Sequence, residues 1–161
     1  MLDPKDKASV YKQVTFNQDK FNKSRIYTAP VISLKSMSGL DTSFMDGQLK
    51  LIKSESEETY CLNIEYQNSG WAFFKQAKDT DGKTFKLVEI NNQIGTFVSQ
   101  TNISEKHCIL LDRAYLDSKR ETGLNMKVYG NNTSIEFTLP GYYIDGFLDV
   151  SDLVEKNKYG K

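Results

Sequence analysis

The sequence predicts a β-rich, mainly antiparallel α+β fold, arranged as a sandwich or partly closed barrel with one middle helix and one C-terminal helix. Composition is the first observation, because 12% of the residues are aromatic, and aromatic side chains suit the half-buried surface of a pleated sheet. The second is a series of short alternating segments, and the third is helical spacing in two places. At 161 residues, the chain suits a loose N-terminal tail over residues 1–8 and a single globular domain over 9–161.

A series of short strands is expected from the alternation of apolar and polar residues. They include residues 9–16, 25–34, 48–54, 57–67, 94–100, 106–112, 124–130 and 133–139. Pro30 cannot donate to a ladder, so the strand that contains it should lie at an edge or bend there. Residues 35–48 are expected to form a long loop, and long loops are often functional.

The clearest hairpin is predicted over residues 71–90. A four-residue turn would set Phe73 opposite Val88 and Trp71 opposite Ile90, and matched apolar pairs are worth roughly 0.2–1 kcal/mol each. Apolar residues fall on both faces of the two segments. We therefore expect this hairpin to be central in its sheet and covered on both sides.

Two segments keep helical spacing instead. Asp112 suits an N-cap and Gly123 a C-terminal stop, which predicts a middle helix of about ten residues. Pro140 suits the first position of a terminal helix. One side of that helix carries a row of carboxylates, which is expected to face solvent, with a basic partner surface or an adventitious cation site as the alternatives. The row consists of Asp145, Asp149 and Asp152.

Charge and hydropathy exclude some classes of partner. Lys plus Arg and Asp plus Glu number 21 each, so the chain lacks the basic surplus that holds a phosphate backbone, and no nucleic-acid partner is expected. No apolar run approaches the ~20 residues of a membrane span. Residues 1–12 are polar and lack the apolar core of a signal peptide. The chain is therefore either cytoplasmic as written or a mature extracytoplasmic form whose leader has been removed.

The only histidine, His107, stands beside Cys108, one of two cysteines. Neighbours in a strand point to opposite faces, so the imidazole is not placed to activate this thiol. Cys61 lies on the more polar face of its predicted strand, which favours two free thiols and leaves a disulfide open. Because one His and two distant Cys do not form a familiar zinc site, and no phosphate loop occurs, no metal and no cofactor is expected.

The sequence favours a non-catalytic binding or interaction module over an enzyme, and no catalytic residue is predicted. Most aromatic side chains should build the core, while some are expected to line an apolar pocket or a partner patch. The candidates for ligand or partner contact are Trp71, Phe73, Tyr142, Tyr143, Phe147 and Phe44. Tyr142 and Tyr143 are helix neighbours, so one of them should reach the surface.

Two alternatives stay open. One is an enzyme with a motif-less Tyr/Asp/Lys site in an aromatic cavity, since such sites leave no linear motif. The other is a structural subunit that forms a homo-oligomer through a sheet edge or the aromatic tail. The partner expected from the sequence is thus an unknown small molecule, an unknown protein or a second copy of the chain.

Overall fold

A computed structural model of the chain describes the backbone of residues 3–97 and 100–159 and the side chains of residues 3–90 and 103–158. Over this part of the chain, two antiparallel sheets and three helices surround one hydrophobic core. The larger sheet has seven strands and the smaller sheet four, and neither closes into a barrel over the described residues. The predicted β-rich α+β class is confirmed, and the open sheets fit the sandwich alternative.

Strands and helices are numbered along the chain. The strands are β1 (Thr15–Asp19), β2 (Ser24–Thr28), β3 (Ile32–Lys35), β4 (Phe44–Lys53), β5 (Glu58–Asn68), β6 (Gln76–Asp79), β7 (Thr84–Phe85), β8 (Leu87–Phe97), β9 (Gln100–Leu111), β10 (Leu124–Tyr129) and β11 (Ser134–Leu139). The helices are α1 (Lys7–Gln13), α2 (Arg113–Ser118) and α3 (Gly141–Tyr159). The larger sheet runs β1-β2-β4-β5-β9-β8, with β3 also paired to β4, and the smaller runs β11-β10-β6-β7.

The centre of the larger sheet follows the alternation of its sequence. In β5 the buried side of the strand carries Tyr60, Leu62, Ile64 and Tyr66. Their partners across β9 are, in the same order, Leu111, Ile109, His107 and Glu105. Two polar side chains, Glu105 and His107, therefore lie on the core face of β9, and both are almost fully buried.

The opposite face of the same two strands carries a disulfide between Cys61 and Cys108, whose Cα atoms are 5.5 Å apart. The expectation of two free thiols is therefore wrong. The register explains the correction: Cys61 pairs with Leu110 and Asn63 with Cys108, so both cysteines lie on the same face of adjacent strands. His107 and Cys108 point to opposite faces, as the alternation predicts.

The strand predicted over residues 9–16 is wrong in its first part, which belongs to α1. Asp6 caps this helix, because its carboxylate accepts from the Ser9 amide at 2.7 Å while the Ser9 hydroxyl accepts from the Asp6 amide. The helix includes Lys7 and Ala8, which were expected in the loose tail. Residues 1 and 2 of that tail, and residues 98 and 99 of the predicted strand 94–100, lie outside the described residues.

Pro30 falls at a bend between β2 and β3, and both strands then pair with β4. The long loop expected over residues 35–48 is shorter in the structure and spans residues 36–43. Lys35 ends β3 and Phe44 begins β4. The beginning of β4 was not predicted, because Gly47 occupies a buried position of the strand at which a larger apolar residue would have shown the alternation.

The hairpin predicted over residues 71–90 forms only next to its predicted turn, and its extent and register are wrong. Strands β6 and β7 pair only at Ala77 with Phe85 and Lys78 with Thr84, a register one residue away from the expected one. The shift comes from a shorter turn of three residues, 80–82, because the Asp79 amide donates to the Lys83 carbonyl. Residues 71–75 precede β6 as a loop, and β8 joins the larger sheet beside β9.

Both predicted helices are present. Asp112 is the N-cap of α2, as expected, but α2 has six residues instead of about ten. The C-terminal helix α3 begins directly after Pro140, at Gly141. Among the described residues, no helix has the length and apolar character needed to cross a membrane.

The carboxylate row on α3 does not face solvent alone. Asp145 and Asp149 both bind the Lys7 ammonium, at 2.7 and 2.6 Å, and both bind Arg120. Asp152 pairs with Arg113 of α2 at 2.7 Å. The row therefore joins α1 and α2 to α3, where a solvated face was expected.

Candidate functional site

The loop between β5 and β6, residues 69–75, carries two of the predicted contact residues. The Ala72 amide donates to one carboxylate oxygen of Glu105 at 2.6 Å, and the Phe73 amide donates to the other at 2.9 Å. Glu105 is only 1% exposed. A carboxylate bound by backbone N–H groups away from water forms strong, directional bonds, so it fixes the path of this loop.

Phe73 adopts a left-handed backbone conformation with φ of +53°. This conformation costs an L-residue with a large side chain about 1–2 kcal/mol relative to the ordinary regions. Such strain persists only where surrounding contacts impose it, and it is concentrated at functional sites. Here the imposing contacts include the two bonds to Glu105.

The strained backbone presents an aromatic pair. The rings of Trp71 and Phe73 are stacked, with centroids 5.7 Å apart and planes inclined by 25°. Phe73 is 49% exposed and Trp71 is half-buried. We call these two side chains the aromatic platform; it offers a flat apolar surface at the outside of the molecule.

A second set of backbone bonds fastens the same loop to the hairpin of β10 and β11. The Lys75 amide donates to the Tyr129 carbonyl at 2.8 Å, and the Asn131 amide donates to the Ala72 carbonyl at 2.9 Å. Gly130 makes this approach possible, because a Cβ at that position would collide with the Ala72 carbonyl. The platform is therefore supported from both sheets.

His107 lies beneath the loop, two residues along β9 from Glu105. Its ring meets that of Phe74 edge-on at 6.0 Å, and its Nε2 is 3.8 Å from a Glu105 oxygen. Burial lowers the pKa of His107, while Glu105 and Glu89 act in the opposite direction and only partly offset it. The imidazole is therefore neutral at neutral pH.

The other predicted contact residues do not join this platform. Tyr143 and Phe147 are fully buried in the core, where the Tyr143 hydroxyl donates to the Pro30 carbonyl. Tyr142 is partly buried and its hydroxyl donates to the Pro4 carbonyl at 2.9 Å, so the expected difference between the two tyrosines is confirmed. Phe44 is partly buried on the face of β4 that points away from the core.

Glu105 belongs to the candidate site and was not predicted from the sequence. A signal was present, because Glu105 and His107 alternate in phase with Ile109 and Leu111 and so take two core-facing positions of β9. A buried carboxylate needs bonding partners. What the local pattern does not contain is the partner, since the amides that Glu105 accepts from are more than thirty residues earlier in the chain.

A concave groove of about 610 Å³ lies on the smaller sheet, along β6, β10 and β11. Its polar side chains largely satisfy one another: Lys127 pairs with Glu136 at 3.3 Å, and the Thr138 hydroxyl donates to Asn125 at 2.6 Å. Tyr129 adds one aromatic ring, with the Lys127 ammonium 5.5 Å from its centroid. The groove is polar and nearly balanced in charge.

A smaller groove of about 280 Å³ lies on the outer face of the larger sheet, with Asp46, Glu65 and Lys106 among its lining residues. Burial, together with the nearby charges of Glu65 and Asp3, raises the pKa of Asp46. Glu65 accepts from the Ser104 hydroxyl at 2.9 Å. Within the described residues, no group of three or more His, Cys, Asp and Glu side chains is arranged to hold a metal ion.

Comparison of the chain with protein-family models, with curated proteins and with solved structures finds no match. What the chain does must therefore be argued from its own geometry.

Proposed function

We propose that this protein is a non-catalytic binding module that holds a ligand with a flat face, a sugar ring or an aromatic ring, against the aromatic platform of Trp71 and Phe73. The observation that carries the proposal is the conformation of Phe73. A large apolar side chain stands half in solvent on a backbone that disfavours it, held there by a fully buried carboxylate.

Each part of this arrangement opposes what stability alone favours. A glycine would fill the left-handed position at lower conformational cost. A half-exposed Phe loses part of the free energy that burial would supply. An arrangement that is costly in both respects, and is fixed in place by buried hydrogen bonds, fits a preformed contact surface that need not be ordered when a ligand arrives.

The chemistry of two stacked rings selects the class of ligand. Aromatic faces bind other flat faces by stacking, and such pairs are worth about 0.5–1.5 kcal/mol beyond the area that they bury. Sugar rings and aromatic rings both offer a flat face with C–H or π character. Neighbouring backbone and polar side chains would then fix the orientation.

Trp71 is the only tryptophan, so the intrinsic fluorescence of the protein reports on the platform directly. We expect a ring-bearing ligand from a panel of saccharides and aromatic compounds to change this emission at neutral pH. The variant Phe73→Ala should weaken the binding at least tenfold, which is about 1.4 kcal/mol. Phe21→Ala is the matched control, because Phe21 is 98% exposed outside the loop and should leave affinity unchanged.

The panel separates the alternatives. A response to saccharides alone or to aromatic compounds alone identifies the source of the flat face. Equal losses in the Phe73→Ala and Phe21→Ala variants would contradict a specific role for the platform. If no compound changes the emission, the binding role fails, and a mass that rises with protein concentration would then favour the homo-oligomer.

A second candidate function, acid–base catalysis, is favoured by one observation. Asp46 has a raised pKa in a groove that also holds Lys106, and perturbed carboxyl groups in clefts are candidates for proton transfer. The groove has aliphatic and polar walls, unlike the aromatic cavity expected from the sequence. Turnover of any substrate that disappears in Asp46→Asn and persists in Phe73→Ala would support this function over binding at the platform.

A further inference from the structure

We propose that His107 makes the attachment of the 69–75 loop sensitive to pH: protonation of its imidazole draws the Glu105 carboxylate away from the Ala72 and Phe73 amides and releases the aromatic platform. Glu105 is then a positioning residue and His107 its regulator. This inference rests on the proposed binding role of the platform, because it describes how that same site would be switched.

The geometry places an unsatisfied ring nitrogen next to the group that holds the loop. The His107 side chain is 4% exposed, and its Nε2 has no hydrogen-bond partner among the described residues. The nearest Glu105 oxygen, at 3.8 Å, is too far for a hydrogen bond and close enough for a strong interaction between charges. A buried polar atom without a partner requires an explanation, and a switching role supplies one.

The groups around His107 come from four directions. On its own strand it faces Glu105; across β5 it faces Ile64; across β8 it faces the exposed Glu89; and the 69–75 loop covers it with Phe74. The charged groups that act on the imidazole are thus Glu105 and Glu89, both carboxylates.

The direction of the pH effect follows from burial. The pKa of His107 is lowered below its ordinary value of about 6.5, so the neutral imidazole is the form that the folded state favours. Its contribution to stability is present above about pH 6.5 and is lost as the pH falls from there through the lowered pKa.

Protonation changes the bonding requirements beneath the loop. A proton taken up from solvent makes both ring nitrogens donors, so Nε2–H needs an acceptor. The nearest acceptor is the Glu105 carboxylate, whose oxygens already bind the Ala72 and Phe73 amides. As the carboxylate turns towards the imidazolium, Phe73 loses the contacts that impose its left-handed conformation and leaves it.

The chain offers one reporter for each event, because His107 is its only histidine and Trp71 its only tryptophan. The free protein, without ligand, is titrated from about pH 7.5 to about pH 4.5, a range that includes the histidine transition. The ring signals of His107 are followed by NMR, together with hydrogen exchange of the Ala72 and Phe73 amides, Trp71 emission and far-UV circular dichroism. We expect His107 protonation, a fall in the protection factors of the two amides and a red shift of Trp71 emission to share one midpoint, below about pH 6.5, before circular dichroism changes.

Two controls restrict the interpretation. In His107→Gln the side chain stays uncharged, so the acid step in Trp71 emission should disappear. The 36–43 loop is a control within the same molecule, since bonds from Ser43 and Lys35 lower the pKa of Asp41 to about 2. The Ser43 amide donates to Asp41 at 2.9 Å, and its protection factor, the intrinsic exchange rate divided by the measured rate at the same pH, should therefore stay constant over the titration.

Three outcomes would overturn the inference: His107 titrates without a change in the protection factors of Ala72 and Phe73; the acid step survives in His107→Gln; or circular dichroism changes together with Trp71 emission. The first and third are read from the unsubstituted protein, so they hold even if the variant fails to fold. The titration uses no ligand and the binding test is made at neutral pH. Failure of the pH-dependent release is therefore distinguishable from failure of the proposed binding function.

Discussion

Two loops of this protein are each held by a carboxylate, and the two carboxylates lie in opposite environments. In the 69–75 loop, Glu105 is 1% exposed and accepts two backbone amides. In the 36–43 loop, the Asp41 side chain is 55% exposed and accepts from the Ser43 amide and the Lys35 ammonium. Water can replace the partners of Asp41 and cannot easily replace those of Glu105, so similar hydrogen bonds carry very different free energies.

The two loops also differ in the type of residue that occupies their left-handed position. Gly39 takes φ of +59° in the 36–43 loop, where a glycine is the residue of lowest conformational cost. Phe73 takes φ of +53° in the 69–75 loop. The 36–43 loop therefore has the residue that its left-handed position favours. The 69–75 loop combines a strained backbone with a buried charge, which is the combination expected of a loop that makes contact with a partner.

The largest expected effect comes from matched amide substitutions of the two carboxylates. Glu105→Gln keeps the shape of the side chain, removes the charge and points an N–H₂ group at a backbone donor. We expect the free energy of unfolding to fall by about 3 kcal/mol, since hydrogen bonds to charged groups are worth about 1.5–3 kcal/mol each and a buried donor is left unpaired. Asp41→Asn should change it little, because water can solvate the exposed amide.

Chemical denaturation followed by Trp71 emission and by circular dichroism measures both variants. The amide exchange of Ala72 and Phe73 should become faster in Glu105→Gln and remain unchanged in Asp41→Asn. Equal losses of stability in the two variants would show that burial does not distinguish the carboxylates.

A smaller effect is expected where the 69–75 loop meets the hairpin of β10 and β11. In Gly130→Ala the new Cβ would collide with the Ala72 carbonyl, a backbone atom that cannot rotate away. We expect a loss of about 2 kcal/mol, as for other overpacked sites, and a shift of Trp71 emission because the platform is displaced. Denaturation and fluorescence of the folded state measure the two effects separately.

Gly70→Ala is the matched control, since Gly70 lies in the same loop and nothing lies within 4 Å of its added Cβ. It should change stability by less than about 0.5 kcal/mol. A comparable loss of stability in both variants would mean that the region tolerates no added methyl group. The close approach of Gly130 to the Ala72 carbonyl would then not explain the effect of Gly130→Ala.

The sequence predicted the parts of this fold that depend on neighbours along the chain. Alternation identifies β5, β10 and β11, and Asp112 marks the beginning of α2. The prediction from sequence failed where a residue distant in the chain determines the local structure. The segment around Trp71 and Phe73 has the composition of a strand, yet its amides bond to Glu105 on another strand. The disulfide was not predicted for the same reason, because the pairing of Cys61 and Cys108 depends on the register of β5 with β9.

The candidate site was predicted in part. Trp71 and Phe73 were named for their aromatic character, and the structure brings them together, while Tyr143 and Phe147 have the same character and fill the core. Composition does not separate these cases, because the same ring serves a core or a contact surface. The difference lies in Glu105 and in the backbone of Phe73, which only the tertiary structure reveals.

The smallest expected change in stability is also the sharpest test of why Phe73 is there. Phe73→Gly removes the strain of the left-handed position, worth about 1–2 kcal/mol, and adds the conformational entropy of glycine, a cost of roughly 0.5–1 kcal/mol. The variant should be as stable as the parent or more stable by up to about 1.5 kcal/mol, while losing the ligand response of Trp71. The mirror substitution Gly39→Ala should lower the free energy of unfolding by about 1–2 kcal/mol through backbone conformation alone, since nothing lies within 4 Å of the added Cβ, and should leave binding intact.

The two possible outcomes for Phe73→Gly have different meanings. A clear loss of stability would mean that the phenyl ring stabilises the fold and that the exposure of its other half is incidental. A gain of stability together with a loss of binding would mean that Phe73 lowers the stability of the fold and is needed for contact with the ligand.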